Sequence, residues 1–173
     1  MTEPQLGVPQ SADTWMLYSP VDKVHEALVS VLKSAELSVV VAMYGFDDDE
    51  LAEILREHLA NPHMHVQITL DKSQAGGVHE RELLAKFSHE DVGNSIAIGT
   101  SEKSAIMHRK MAIVDGLWLV AGSTNWSMSG ETKQDNELTI HRSADLCRRA
   151  RTILDIEHDH ALQQMKGKTN ATP

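Results

Sequence analysis

Between Ile106 and Glu137 the chain reads IMHRKMAIVDGLWLVAGSTNWSMSGETKQDNE, and this stretch holds the side chains best suited to chemistry. His108 and Lys110 are two residues apart, so on a strand they share a face. Met111, Ile113 and Val114 continue that strand as core, Asp115-Gly116 is a hairpin signal, and Leu117–Ala121 returns as an apolar run. Gly122-Ser123-Thr124-Asn125 then brings hydroxyls and an amide beside the start of the first strand. A histidine, a lysine, a serine and an asparagine converging there describe a phosphate site with a nucleophile in it. A neutral imidazole can attack near pH 7, its ordinary pKa being about 6.5. Lys110 supplies a fixed cation for the non-bridging oxygens, and Ser123 and Asn125 supply neutral hydrogen bonds to the same atoms.

The elements that must carry these residues follow from hydrophobic spacing. Thr14–Tyr18 reads as a first strand. Ser19-Pro20 reads as the N-cap and first residue of a helix carrying Val21, Val24, Leu28, Val31, Leu32 and Ala35 inward. Leu37–Tyr44 is a β-branched run of the kind buried on both faces. A helix starting at Asp48 or Asp49 presents Leu51, Ile54, Leu55 and Leu59 to the core, and Asn61-Pro62 stops it. Val66–Leu70 and Ser95–Gly99 are strands, with a helix expected between them from about His79 to Ser88. After the central unit, Leu138–His141 is a strand, and Ser143 caps a helix from Ala144 to about Met165. Its expected apolar side is Leu146, Ala150, Ile153, Leu154, Ile156 and Leu162. Strands alternating with helices give an α/β fold with a mixed, mostly buried sheet flanked by helices. Residues 1–13 are expected as a flexible arm, 14–165 as one domain and 166–173 as a disordered tail.

Composition narrows the function classes. The chain has 173 residues, enough for one domain with a real core. Hydrophobic content of 41% and charged content of 24% are ordinary for a globular protein. No run approaches a membrane span, and the first residues lack the pattern of a signal peptide, so a cytoplasmic location without membrane contact is expected. One cysteine, Cys147, excludes an internal disulfide and a cysteine-based zinc site. A net charge of −9 argues against broad electrostatic binding of nucleic acid, leaving the local patch of Lys103, Arg109 and Lys110 to meet a polyanion. His63-x-His65 and His158-x-His160 lack a clear third ligand, so no metal and no cofactor is expected.

The stretch His108-Arg109-Lys110-Met111-Ala112-Ile113-Val114-Asp115 resembles the HxKxxxxD motif of the phospholipase D superfamily. Gly122-Ser123-Thr124-Asn125 resembles the GSxN that follows it there, and Asn136-Glu137 the acidic element further on. Tyr44-Gly45-Phe46-Asp47 and Leu70-Asp71-Lys72-Ser73 are similar to the family's earlier strand ends, so the resemblance spans roughly residues 15 to 163. It is nearest to the small single-motif bacterial endonucleases. It implies the phospholipase D-like fold and a metal-independent phosphodiesterase that forms a covalent phosphohistidine on His108, resolved by water. It also places the motif's aspartate away from the phosphate, so Asp115 is assigned to structure, at the turn. Glu137 is expected to bond a histidine ring nitrogen and fix its tautomer.

One histidine cannot both attack and protonate the leaving group from opposite sides of a phosphorus atom. No other histidine here has a lysine two positions later. A symmetric homodimer with His108 of both subunits in one site is therefore expected. Nucleic acid, DNA or RNA, is the expected substrate, on small size and the single motif. The rivals are a phospholipase or phosphatidyl transferase, with Trp15, Trp118 and Trp126 as membrane-facing candidates, and a non-catalytic nucleic-acid-binding module. Tyr44 stands either at the site's edge or in the core, and Lys103 and Lys133 either track a backbone or are solvated charges. Arg109 is expected on the strand face opposite His108.

Overall fold

The computed structural model describes residues 2–74 and 95–169, the last two by backbone alone. The helix expected near His79–Ser88 lies outside these residues. Nine strands are described: β1 (Thr14–Ser19), β2 (Ser38–Met43), β3 (Phe46–Asp47), β4 (His65–Asp71), β5 (Ser95–Gly99), β6 (Lys110–Val114), β7 (Trp118–Gly122), β8 (Trp126–Ser127) and β9 (Asn136–Arg142). Four helices accompany them: α1 (Val24–Lys33), α2 (Asp49–Ala60), α3 (Met128–Thr132) and α4 (Ala144–Thr169). Seven strands form one sheet in the order β1-β9-β7-β6-β2-β4-β5, while β3 and β8 pair separately. β2, β4 and β5 run parallel, and the other ladders of the large sheet are antiparallel. This is the mixed, helix-flanked α/β sheet expected from sequence.

The sheet is covered on both faces. Val39, Val41 and Met43 of β2 join the larger core with α1 and α2, whereas Val40 and Ala42 join a second cluster with Cys147 and Leu154 of α4. That is why Ser38–Met43 reads as a continuous apolar run instead of an alternating one. Leu28, Leu32, Leu51 and Leu55 are fully buried on the first face, each contributing roughly 1.5–3 kcal/mol through removal from water. Asp48 caps α2, accepting the Leu51 N–H at 2.8 Å, as its position before the helix predicts. Among the described residues no helix is long and apolar enough to cross a membrane.

Two expectations differ from the structure. Ser19 is not a helix cap: it ends β1, pairs with Asn136 of β9, and its hydroxyl lies 2.8 Å from the Gln134 carbonyl oxygen and 3.0 Å from that of Gly130, so α1 starts only at Val24. The cause is a sheet partner more than a hundred residues away. The apolar face of α4 is rotated from expectation. Cys147, Leu154, His158 and Ala161 are buried, while Leu146, Ile153 and Ile156 are exposed. A buried histidine and cysteine replaced the aliphatic residues that spacing alone selects. The short β3–β8 pair and α3 have no periodic signal and were not expected.

The termini are described in part. Residues 2–13, expected as an arm, lie along the domain: Thr2 bonds Glu36, the Gln5 N–H donates to Ser30, and Trp15 donates to the Gly7 carbonyl. α4 continues to Thr169, past the expected end near Met165.

Candidate active site

The β6–β7 hairpin turns at Asp115-Gly116, where φ is +52° and +64°, the two left-handed residues that a type I′ turn requires. The Asp115 carboxylate reaches outside its own turn. Oδ1 accepts the Leu37 and Ser38 N–H groups at 2.8 Å each, and Oδ2 accepts that of Glu36 at 3.0 Å. Asp115 therefore stitches the hairpin to the start of β2, far along β6 from His108.

At the other end of these strands the Tyr44 N–H donates to the Arg109 carbonyl at 2.8 Å, continuing the β2–β6 ladder past Met43 and Lys110. His108 stands just before β6, exposed, with its ring edge-on to Tyr44 at 4.6 Å between centroids. Lys110 is buried along its stem, its Nζ 3.4 Å from the His108 carbonyl oxygen and 4.7 Å from the Tyr44 ring centre. Desolvation holds the Lys110 ammonium below its ordinary pKa. No carboxylate of the described residues pairs with it. Tyr44 thus edges the site and braces both the imidazole and the ammonium.

Asn125 reaches the same corner through Gly45. The Gly45 carbonyl accepts the Trp126 N–H at 3.0 Å, and a Cβ on Gly45 would lie 3.0 Å from Asn125 Cγ. Glycine leaves room for the asparagine side chain next to Tyr44. Asn125 Oδ1 is buried and has no hydrogen-bond partner among the described residues, a group in need of a donor. Gly122 is fixed for a similar reason: a Cβ there would collide with the Glu137 carbonyl.

Ser123 and Glu137 bond each other. Ser123 Oγ lies 2.8 Å from Glu137 Oε2 and 3.0 Å from Asn136 Oδ1, and it accepts the Glu137 N–H at 3.1 Å. The hydroxyl's single proton thus has an acceptor on the neighbouring strand β9. Within this chain no hydrogen bond joins Glu137 to the His108 ring. Arg109 forms a two-pronged ion pair with Glu157 of α4, with contacts of 2.8 Å and 3.1 Å to Oε1, and that pairing raises its pKa. The basic patch is accordingly smaller than sequence suggested, since one of its cations is already paired. Lys103 and Lys133 are exposed.

Two further residues have a place here that sequence reasoning did not give them. Asp71, fully buried at the end of β4, accepts the Met107 N–H and two bonds from Ser73, fixing the backbone that leads into His108. His160 of α4 lines the same cleft as His108, a cavity of about 550 Å³ that also takes in Ile106, Ile153 and Ile156. The histidine pairs weighed as metal ligands are placed otherwise. His158 is buried between the hydroxyls of Thr69 at 2.8 Å and Ser95 at 2.7 Å, and burial lowers its pKa. The Trp15, Trp118 and Trp126 side chains are buried, so none of them faces a membrane. The Cys147 thiol is pushed up to about 11 by burial, which leaves it unreactive.

Known proteins resemble this chain in sequence and in fold. The family described as "Cardiolipin synthase, PLD-like domain" matches residues 28–156. A mitochondrial cardiolipin hydrolase of Chlamydomonas reinhardtii is 28% identical over 109 residues, covering 63% of this chain but only 46% of that protein. Among solved structures, the phospholipase D family member Nuc from Salmonella typhimurium superposes with a TM-score of 0.69 at 19% identity, over 83% of this chain and 92% of that one. NucT from Helicobacter pylori does so with a TM-score of 0.70 at 20% identity, over 83% and 94%. With residues 28–156 matched, and with the HxKxxxxD and GSxN segments meeting at one end of the sheet, the chain belongs to the PLD-like domain family of the phospholipase D superfamily.

Proposed function

We propose that the protein is a phosphodiesterase whose chemistry at phosphorus needs no metal, acting on nucleic acid through a phosphohistidine on His108. The observation that carries this reading is the pairing of an exposed imidazole with an ammonium that has no carboxylate partner among the described residues, both braced by Tyr44. Lys110 binds the non-bridging oxygens, and Asn125 donates its amide N–H to one of them. His108 attacks in line, and the leaving oxygen takes a proton from a second imidazole. That imidazole is His108 of a two-fold-related copy of the chain, whose tautomer Glu137 sets across the axis. Ser123 serves by holding Glu137. The Tyr44 ring beside the phosphate site offers a base a surface to stack on, which suits a nucleic-acid strand.

A second substrate class has its own support. The cleft beside His108 exposes the aliphatic faces of Ile106, Ile153 and Ile156, a place where acyl chains could lie. The family description and the cardiolipin hydrolase relative point the same way. The test is a panel of labelled single- and double-stranded DNA and RNA beside cardiolipin vesicles, each with wild type and His108→Ala in EDTA. Cleavage of a polynucleotide by wild type alone supports the reading. Turnover of cardiolipin alone moves the substrate to lipid. Binding without turnover of either would make this a non-catalytic module.

A further inference from the structure

Behind the Gly45–Asn125 corner lies a second polar cluster that the chemistry above does not use. His25 of α1, Asp48 at the cap of α2 and Glu131 of α3 turn ligand-bearing atoms toward one another, all within 4.8 Å. His25 Nδ1 lies 2.6 Å from Glu131 Oε2 and 3.5 Å from Asp48 Oδ2. Both carboxylates are buried, Asp48 at 4% exposed and Glu131 at 1%. The other Glu131 oxygen, Oε1, is buried and has no hydrogen-bond partner among the described residues. A buried carboxylate oxygen left bare is costly, and such groups in folded proteins call for an explanation.

We propose that His25 Nδ1, Asp48 and Glu131 form a binding site for a first-row divalent cation of the Zn²⁺ type. One imidazole with two carboxylates is a donor set suited to such an ion, whereas Mg²⁺ and Ca²⁺ favour all-oxygen sets. Neighbouring ligand atoms around a tetrahedral Zn²⁺ lie roughly 3.3 Å apart when the bonds are about 2.0–2.1 Å. The 3.5 Å separation already fits, and the 2.6 Å one must open by a few tenths of an ångström as the ion replaces the shared proton. Glu131 Oε1 or water completes the shell. His25 Nε2 lies 3.1 Å from Glu50, whose other oxygen takes Lys33 at 2.9 Å. A metal-bound histidine commonly gives its far N–H to a carboxylate in this way.

Electrostatics favours an ion here. Two buried carboxylates face one imidazole, at 2.6 Å and 3.5 Å from its Nδ1, and that excess of buried negative charge is unfavourable. A dication would remove that penalty. The ion would also join the two segments that frame the site: Asp48 follows β3, three residues after Gly45, and Glu131 follows β8, six residues after Asn125. It would act as a staple behind the phosphate-binding loop, apart from the reacting phosphate. The proposal stands whether or not His108 is the nucleophile, because the two sites share no residue.

The test uses the full chain, stripped with chelator and exchanged into metal-free buffer. Zn²⁺ is titrated by calorimetry and thermal unfolding into wild type, His25→Asn, Glu131→Gln and Glu50→Gln. Wild type is expected to bind one ion per chain with a Tm that climbs with Zn²⁺ concentration. His25→Asn and Glu131→Gln are each expected to weaken binding more than about ten-fold, with Glu50→Gln nearer ten-fold as an outer partner. Mg²⁺ is expected to leave the Tm unchanged. If His25→Asn does not fold, Glu131→Gln carries the test, since it keeps the shape and removes a buried charge. No Zn²⁺ binding by wild type would overturn the proposal. So would Zn²⁺ binding of equal strength in Glu131→Gln, which would put the ion elsewhere.

Discussion

Replacing Asp115 separates a structural aspartate from a catalytic one. Its carboxylate accepts three backbone N–H groups, at 2.8, 2.8 and 3.0 Å. A hydrogen bond to a charged acceptor is worth roughly 1.5–3 kcal/mol. The low end, or somewhat below it, applies here because Glu36 and Leu37 are exposed and water can replace part of the loss. Asp115→Ala also places a residue without a local polar group at φ +52°. The expected loss is about 3 kcal/mol, or about 6–12 °C in Tm for a chain of this size. Asp115→Asn keeps Oδ1 with its two bonds and tolerates the left-handed backbone, so about 1 kcal/mol and 2–4 °C are expected. The assay is thermal unfolding beside kcat on a phosphodiester substrate, measured well below each variant's Tm. Both variants should keep kcat within about three-fold per folded molecule, since the carboxylate touches β2 and not the phosphate corner. A thousand-fold fall in kcat for a fully folded Asp115→Asn would refute this reasoning. An Asp115→Ala variant as stable as wild type would show that the three bonds add nothing.

Further outcomes follow from the same geometry. Gly45→Ala puts a methyl group 3.0 Å from Asn125 Cγ, so Asn125 must shift; kcat should fall on the order of ten-fold with Tm nearly unchanged, and an unaltered kcat would take Asn125 out of the chemistry. His160→Asn tests the shared-site reading: activity should stay within a few-fold of wild type, whereas loss of kcat together with the alkaline limb of its pH profile would make His160 the proton donor. His158 is held neutral, its pKa below the usual 6.5, so its contribution to stability is present above pH 6.5 and is lost as pH falls toward the lowered value. Wild type should therefore lose more unfolding free energy than His158→Gln between pH 7 and pH 5, and parallel curves for the two would contradict the assignment.

Where local chemistry decides the conformation, the chain can be read directly. Asp115-Gly116 declares its turn, Asp48 declares a helix start, and the apolar run of β2 declares a strand buried on both faces. His108, Lys110 and Asn125 belong together because two strands and a loop of short sequence separation carry them. What escaped the reading depends on distant partners. Ser19 looks like a cap until β9 pairs with β1. Ile153 and Ile156 look like core until His158 and Cys147 take the inward face of α4. Arg109 looks like a free cation until α4 brings Glu157 against it, and the tryptophans are candidates for a membrane-facing surface until the core closes over them. Asp71 and the His25–Asp48–Glu131 cluster unite residues up to 106 positions apart, and no spacing rule joins such residues.

In the proposed reaction His108 becomes covalently bonded to phosphorus. An oligonucleotide labelled on each side of the scissile phosphate in turn, mixed with excess enzyme in EDTA and quenched in denaturant at alkaline pH, tests it directly. A labelled protein band is expected that is lost on acid treatment, maps to the peptide carrying His108, and is absent from His108→Ala. Cleavage of the oligonucleotide at full rate with no adduct at any time, or an adduct that persists in His108→Ala, would contradict it.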